Sequence, residues 1–294
     1  MSKGQIYQNF VCIGAQKAGT TTLADILSAH PDMCIPPIKE TKFFLFDDDY
    51  QKGKSFYDSY FSNYSSQQAV GEFDPDYMLF PFTAQRLKDT LGAELKIIVV
   101  LRNPADRAYS HYLMTKRKGL EPHSFIKALD EERNRQQDIK TRKIYAYKER
   151  GMYGRQIEAY FQVFEKNNFL FLEFERDFLR NREETIRNVQ AFLGVPYHQL
   201  DVLVHSNEAG EPIHDTVNEL VRKPNFAKRI LKFLLPVKSL RKAMRKKVIA
   251  GNMQKASVAK LDSETRQTLI REVFAEDILL TEKLTGLDLS GWYK

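Results

Sequence analysis

The sequence predicts an α/β fold with a central parallel sheet flanked by helices. Three observations carry that prediction. Short apolar runs without alternation, at Phe10–Ile13, at Ile97–Leu101 and in FLFLEF from Phe169, have the character of strands buried on both faces. The segments that follow them space their apolar residues at helical intervals. Strands alternating with helices in this way imply a parallel sheet with right-handed crossovers.

Taken in order, Phe10-Val11-Cys12-Ile13 stops at Gly14, and a Gly/Thr-rich turn follows. TTTLADILSAH then places Leu23, Ile26 and Leu27 on one helical face and stops at His30-Pro31, with His30 a structural residue. A polar, aromatic stretch leads to VGEFDPDYMLF, whose FDPDY is a turn with Asp74 and Asp76 as turn formers. LKIIVVLRNP is the clearest strand. It breaks off at Arg102, where Asn103 suits a helix N-cap and Pro104 the first helical turn. Residues 123–150 read as helical and highly charged. GMYGRQIEAYFQVF is amphipathic, with Ile157, Tyr160, Phe161 and Phe164 on one face, and REETIRNVQAFLG is a helix ending at Gly194.

The 294 residues, 43% hydrophobic and 28% charged, suffice for one large domain. No Gly/Ser- or Pro-rich linker divides them, so a single domain over 1–294 is expected. The first apolar run is too short for a signal-peptide core, and no stretch approaches the roughly 18 apolar residues of a spanning helix. With two cysteines and no zinc-type spacing among six histidines, a cytoplasmic protein without a metal is expected. The net charge of +7 is uneven: residues 222–260 carry 13 Lys/Arg and no Asp/Glu, on an otherwise mildly acidic chain. Three readings of this helical C-terminal stretch stand. It is a solvated face packed through Ile230, Phe233, Leu234, Leu240 and Met244, a contact for an anionic membrane surface, or a contact for an anionic acceptor such as a glycan. No nucleic-acid motif accompanies it.

Chemistry is expected at the carboxyl ends of the strands. The first loop, GAQKAGTTT, combines glycines, a lysine and three hydroxyls before a helix N-terminus, which suits a phosphate-like anion held by Lys17, Ala18, Gly19, Thr20, Thr21 and Thr22. Against the GxxxxGK[ST] kinase pattern, Gly14 and Gly19 keep the spacing, but Thr20 stands where the lysine should be and Lys17 comes three residues earlier. The IIVVL strand ends in Arg102, where a kinase would carry an acidic ligand for magnesium. Arg102 and Ser110, eight residues on, suit a second phosphate. The ligand implied is a nucleotide with two separated anionic groups and no metal.

KAGTTTL after a strand resembles the 5′-phosphosulfate loop of sulfotransferases that use 3′-phosphoadenosine 5′-phosphosulfate (PAPS), and LRNPADRAYSHY resembles their 3′-phosphate motif. KETKFF, Lys39 to Phe44, is similar to the ExxFF element of the carbohydrate (heparan-sulfate-type) branch and its bacterial relatives. RGMYGRQ resembles the basic-Gly-x-Tyr loop that closes over the nucleotide. The match covers roughly residues 8–195, with a weaker echo in GLDLSGWYK. The resemblance implies a P-loop-like sheet and sulfuryl transfer to a hydroxyl on a sugar, glycolipid or small natural product. It makes Glu40 the general base and Lys17 the cation at the leaving oxygen. Arg150, Gly151 and Tyr153 complete the nucleotide site, and Phe174 is a candidate neighbour of the adenine.

Two departures matter. Relatives often carry a lysine in a GEKxP element where this chain has Phe73, leaving Lys42 or Lys39 to substitute. The disulfide loop of lumenal relatives is absent before RGMYG. The alternatives are a P-loop kinase using Mg-ATP and a non-catalytic nucleotide-binding protein that docks on membranes through 222–260.

Overall fold

The computed structural model describes residues 6–203, 211–212, 253–254 and 260–294. Apart from 253–254 and Lys260, the basic stretch at 222–260 lies outside the described residues. Five parallel strands form one sheet in the order β2-β3-β1-β4-β5: β1 Phe10–Gly14, β2 Met33–Cys34, β3 Ala69–Phe73, β4 Lys96–Leu101 and β5 Phe169–Glu173. β1 is central, pairing Phe10 with Gly71 of β3 on one side and with Lys96 of β4 on the other. All five of its residues are buried, which is why its run is continuously apolar. β4 pairs along its length with β5, from Ile97 opposite Phe169 to Leu101 opposite Glu173. Chain order reverses across β1, so the crevice outside its carboxyl end is the place for a ligand in an open sheet.

Helix α1, Thr20–Leu27, buries Leu23, Ile26 and Leu27 as its spacing predicts. His30 is buried behind it, its ring nitrogens engaged by the Pro196 carbonyl (3.0 Å) and the Asp32 amide (3.0 Å). Helix α2, Pro104–Arg117, begins as its sequence dictates. Pro104 occupies the first turn, and the Asn103 side chain accepts from the amides of Ala105 (3.1 Å) and Asp106 (3.2 Å). Helix α3, Tyr153–Phe161, buries Ile157 and Tyr160, while Phe161 packs edge-on against Phe169. Helix α4, Arg182–Leu193, ends on Gly194 in the left-handed conformation at φ 80°.

Residues 123–150 depart from a continuous helix. They form helices Phe125–Asp130 and Ile139–Tyr145 with short turns at Arg133–Arg135 and Glu149–Gly151. The chain doubles back because the buried Glu132 carboxylate accepts from the amides of Lys148 (2.6 Å) and Glu149 (2.9 Å), while Asp138 caps the second helix through Thr141.

The C-terminal region is helical, with Ser263–Leu269 running through a wide turn at Ile270–Phe274 into Ala275–Thr285. It is keyed to α3 by buried Asp277, which accepts from the amides of Gly154 (2.8 Å) and Arg155 (3.2 Å) in the first turn of α3. The last residues return to the sheet. Trp292 is buried, donating from Nε1 to Glu173 at the end of β5 (2.9 Å) and accepting at its carbonyl from the Asn103 side chain (3.1 Å). No helix among the described residues is long and apolar enough to cross a membrane.

Candidate active site

The loop after β1 and the end of β4 are tied together. Lys17 takes a left-handed backbone at φ 73°, which turns its carbonyl to accept from Arg102 Nη1 at 3.0 Å. Gly19, at φ 84°, leads into α1, whose first turn carries no acidic side chain and no side-chain cap. The start of that turn, at Thr20 and Thr21, therefore suits an external anion. Gly19 is required by space as well as by φ, because a Cβ there would lie 2.7 Å from the Phe174 ring. Ala18, Thr20 and Thr22 are buried, and Thr21 is half-buried.

Lys17 sits among cations. Burial lowers its ammonium to about 8, assisted by Arg117, Arg102, Lys118 and Arg107. Arg102 stacks on Phe174 at 5.1 Å, and its Nε is 3.6 Å from Glu175 Oε1. That buried Nε makes no hydrogen bond among the described residues, so a donor remains for a ligand. Burial and then the neighbouring Glu173 push the Glu175 carboxyl up, leaving little carboxylate to quench Arg102. The backbone of Arg102 is fixed by Tyr153, whose hydroxyl donates to its carbonyl at 2.8 Å. Ser110 stands half-buried two turns into α2. The unpaired donor, the uncapped first turn and the glycine cradle fit a nucleotide with two anionic groups.

Glu40 lies on the loop leading away from β2. It and Lys42 both have φ 60°, with Thr41 between them pinned to buried Glu72 of β3 through its hydroxyl (2.7 Å) and amide (3.3 Å). Tyr57 and Tyr77 also donate to Glu72, each at 3.0 Å. Burial and then Asp74 raise the Glu72 carboxyl, and these hydrogen bonds partly offset that rise. The Glu40 carboxylate is half-buried, 3.1 Å from Lys42 Nζ. Phe43 and Phe44 are buried in the core, and Phe46 is half-buried. Phe73 is also a core residue, edge-on to Phe10.

Asp74 and Asp76 are more than turn formers. Both are buried beyond β3, where Asp74 holds Lys42 at 2.6 Å and Asp76 holds Lys42 (2.6 Å), Arg150 (2.6 Å) and Lys143 (3.0 Å). Burial opposes ionisation of Asp76, but Arg150, Lys42 and Lys143 overcome it and hold the carboxyl well below its usual range. Arg150 is therefore committed to Asp76, with its Nε alone lacking a partner. Gly151 is wedged where a Cβ would meet Phe274 at 2.9 Å and Pro104 at 3.0 Å. His111 is fully buried on α2 against Tyr147. Burial, then Arg150 and Arg107, push its ring well below the usual range, so it is neutral and enclosed.

The sequence pattern brings Lys17, Arg102 and the threonine loop together, with Tyr153 bracing them. It does not foresee Arg107, Arg117 and Lys118 near Lys17, nor Glu175 beside Arg102. The KRK run at the end of α2 is the signal for Arg117 and Lys118; Arg107 and Glu175 have none. Among the described residues no group of three or more His, Cys, Asp or Glu is placed to hold a metal ion.

Residues 8–225 match the sulfotransferase domain family. A membrane-associated sulfotransferase, kil1 of Dictyostelium discoideum, is 38% identical over 107 residues, 35% of this chain and 22% of that protein. Heparan sulfate glucosamine 3-O-sulfotransferase 3B1 of Mus musculus is 29% identical over 185 residues, 63% of this chain and 45% of that protein. The chain thus matches less than half the length of either relative. The crystal structure of a sulfotransferase from Alicyclobacillus acidocaldarius superposes with a TM-score of 0.70 at 26% identity, covering 99% of this chain and 100% of that one. With a matched family spanning most of its length and a shared fold, the chain belongs to the PAPS-dependent sulfotransferase family.

Proposed function

We propose that the chain moves a sulfuryl group from PAPS to an acceptor hydroxyl by in-line displacement, with Glu40 as general base. The observation that carries this reading is the hydrogen bond joining the Lys17 loop to Arg102, which sets two cationic anchors at the ends of adjacent strands. PAPS supplies the sulfuryl group and, in adenosine 3′,5′-bisphosphate, a leaving group that needs its developing charge neutralised. Lys17 and the Thr20–Thr22 turn hold the 5′ end. Arg102 and Ser110 hold the 3′-phosphate, with Arg150, Gly151 and Tyr153 bracing that side and Phe174 beside the base. Glu40 takes the acceptor proton as the new O–S bond forms. The bridging S–O bond breaks with its electron pair on the phosphate oxygen, and the Lys17 ammonium faces that charge. No metal is assigned a part.

A carbohydrate hydroxyl is the favoured acceptor class, by likeness to the heparan sulfate glucosamine 3-O-sulfotransferases. Glycolipid and small natural-product hydroxyls are the other members of the panel to be screened. A kinase using Mg-ATP would need an acidic residue at the end of β4, where Arg102 stands.

Calorimetric titration with adenosine 3′,5′-bisphosphate, with and without magnesium and against ATP and AMP, tests the donor site. Metal-independent binding, weakened about 10–100-fold in Arg102→Ala, is expected from the loss of charged hydrogen bonds. Preference for Mg-ATP refutes the reading. Glu40→Gln should bind the bisphosphate normally and lower transfer by about 10²–10⁴-fold.

A further inference from the structure

With Phe73 in the core, the lysine of the GEKxP element has no counterpart on β3, and Lys42 is one of the two candidates, with Lys39, to stand in for it. Its surroundings assign it different work. The Lys42 ammonium is 2.6 Å from Asp74 Oδ1, 2.6 Å from Asp76 Oδ2 and 3.1 Å from Glu40 Oε2. An ammonium has three N–H donors, and here each has a carboxylate oxygen in reach, so none is left for a substrate oxygen. The residue is also held by its backbone, whose amide donates to Asp74 Oδ2 at 3.0 Å. Among the described residues Lys42 is the one cation in ion-pair reach of fully buried Asp74, so withdrawing it would leave a buried carboxylate uncompensated.

Glu40 depends on this arrangement. Its own backbone and that of Lys42 are left-handed although neither is glycine, a conformation that persists only where neighbours enforce it. Thr41 on Glu72 and the Lys42 amide on Asp74 are those neighbours. Among the described residues the half-buried Glu40 carboxylate then has one ion-pair contact, the Lys42 ammonium.

We propose that Lys42, clamped by Asp74 and Asp76, is a positioning residue that aims the Glu40 carboxylate and touches neither donor nor acceptor. The inference rests on Glu40 being the base.

The test is a double-mutant cycle of Lys42→Met and Glu40→Gln, extended by Lys42→Arg and by Lys42→Met/Asp74→Asn, which removes the buried charge left behind. Transfer from PAPS to a panel of a desulfated heparan-type oligosaccharide, a galactolipid and a phenol gives kcat and KM. Bisphosphate titration reports the donor site, and crystal structures of the variants report the Glu40 carboxylate. Lys42→Met should lower kcat about 10–100-fold, as expected for a misaimed group. Bisphosphate affinity should change less than about twofold, and Lys42→Arg should recover much of the rate. In the Glu40→Gln background Lys42→Met should cost little more, because its effect passes through Glu40. In the crystal of Lys42→Met/Asp74→Asn the Glu40 carboxylate should have moved.

Additive losses in the Glu40→Gln background would overturn the proposal, since Lys42 would then act on the substrate directly. So would an unmoved carboxylate, or an unchanged kcat in the folded Lys42→Met/Asp74→Asn protein. Wild-type rates in Glu40→Gln itself would instead sink the base assignment on which the inference stands.

Discussion

Lys17 carries the most quantitative consequence of the site. Burial, followed by the neighbouring Arg117 and Arg102, holds its ammonium at about 8 in the free protein. A bound anion reverses that shift. Adenosine 3′,5′-bisphosphate should therefore bind with proton uptake wherever Lys17 is partly neutral. With the bound value restored to about 10.4, the Lys17 contribution to affinity should be constant below pH 7 and fall about tenfold, or about 1.4 kcal/mol, between about pH 7 and pH 9. A lysine already at its ordinary value would change affinity by only a few per cent over that range. The ligand's phosphates contribute little, since their second ionisation near about pH 6 is complete. Glu175 acts in the same direction: its carboxyl, raised by burial and Glu173, ionises beside Arg102 and opposes the anion as pH rises. Calorimetry across pH, in buffers of two ionisation enthalpies, should give uptake of about half a proton at pH 8 from Lys17. Lys17→Arg replaces a titrating group with a permanent cation and should flatten the profile. Glu175→Gln should leave most of it. A flat wild-type profile, or the full slope surviving in Lys17→Arg, would refute the reasoning.

Three further consequences concern the frame around the site. Trp292→Ala removes a buried ring packed 6.0 Å from Tyr153 and leaves Glu173 without its indole donor. It should cost about 3–5 kcal/mol and lower the melting temperature by about 6–20 °C in a thermal melt. Gly19→Ala forces a side chain into φ 84° and against Phe174, so bisphosphate affinity should drop at least tenfold by calorimetry, about 1.4 kcal/mol or more. Glu72→Ala strands the hydroxyls of Thr41, Tyr57 and Tyr77 in the core and should cost about 3 kcal/mol or more in urea denaturation, with Glu72→Gln milder because it keeps an acceptor.

The inner strands β1 and β4 were legible because burial on both faces demands nearly unbroken apolar runs. β5, at the edge of the sheet, keeps an apolar run from Phe169 to Leu172 although Leu170 and Phe171 are only half-buried. β3 was not, because Gly71 and Glu72 interrupt its run. All five of its residues are buried nonetheless, Glu72 being satisfied by Thr41, Tyr57 and Tyr77, which lie 31, 15 and 5 residues away in sequence. β2, two residues long, offers no period to detect. Residues 123–150 are helical only in pieces for a related reason. Periodicity reports local spacing, whereas Glu132 breaks the helix by capturing amides sixteen and seventeen residues on.

The same division runs through the site. The elements of the proposed donor side were legible because each is local: a strand, a tight loop and a helix start for Lys17 to Thr22, and a strand end with an N-capped helix for Arg102 to Ser110. The proposed acceptor side is assembled from afar. Asp76 gathers Lys42, Lys143 and Arg150 from segments 34, 67 and 74 residues away, and nothing in the spacing of one segment reports the others. One physical mark does join the two sides. The non-glycine residues with left-handed backbone among those described are Lys17, Glu40, Lys42 and Ser66. Three of these four are the proposed cation, the proposed base and the residue that aims the base. Each is held in that costly conformation by a specific hydrogen bond: Arg102 to the Lys17 carbonyl, Thr41 to Glu72, and the Lys42 amide to Asp74. Conformational cost at those positions is consistent with loops shaped to aim side chains across the carboxyl edge of the sheet, where a relaxed turn would point them elsewhere.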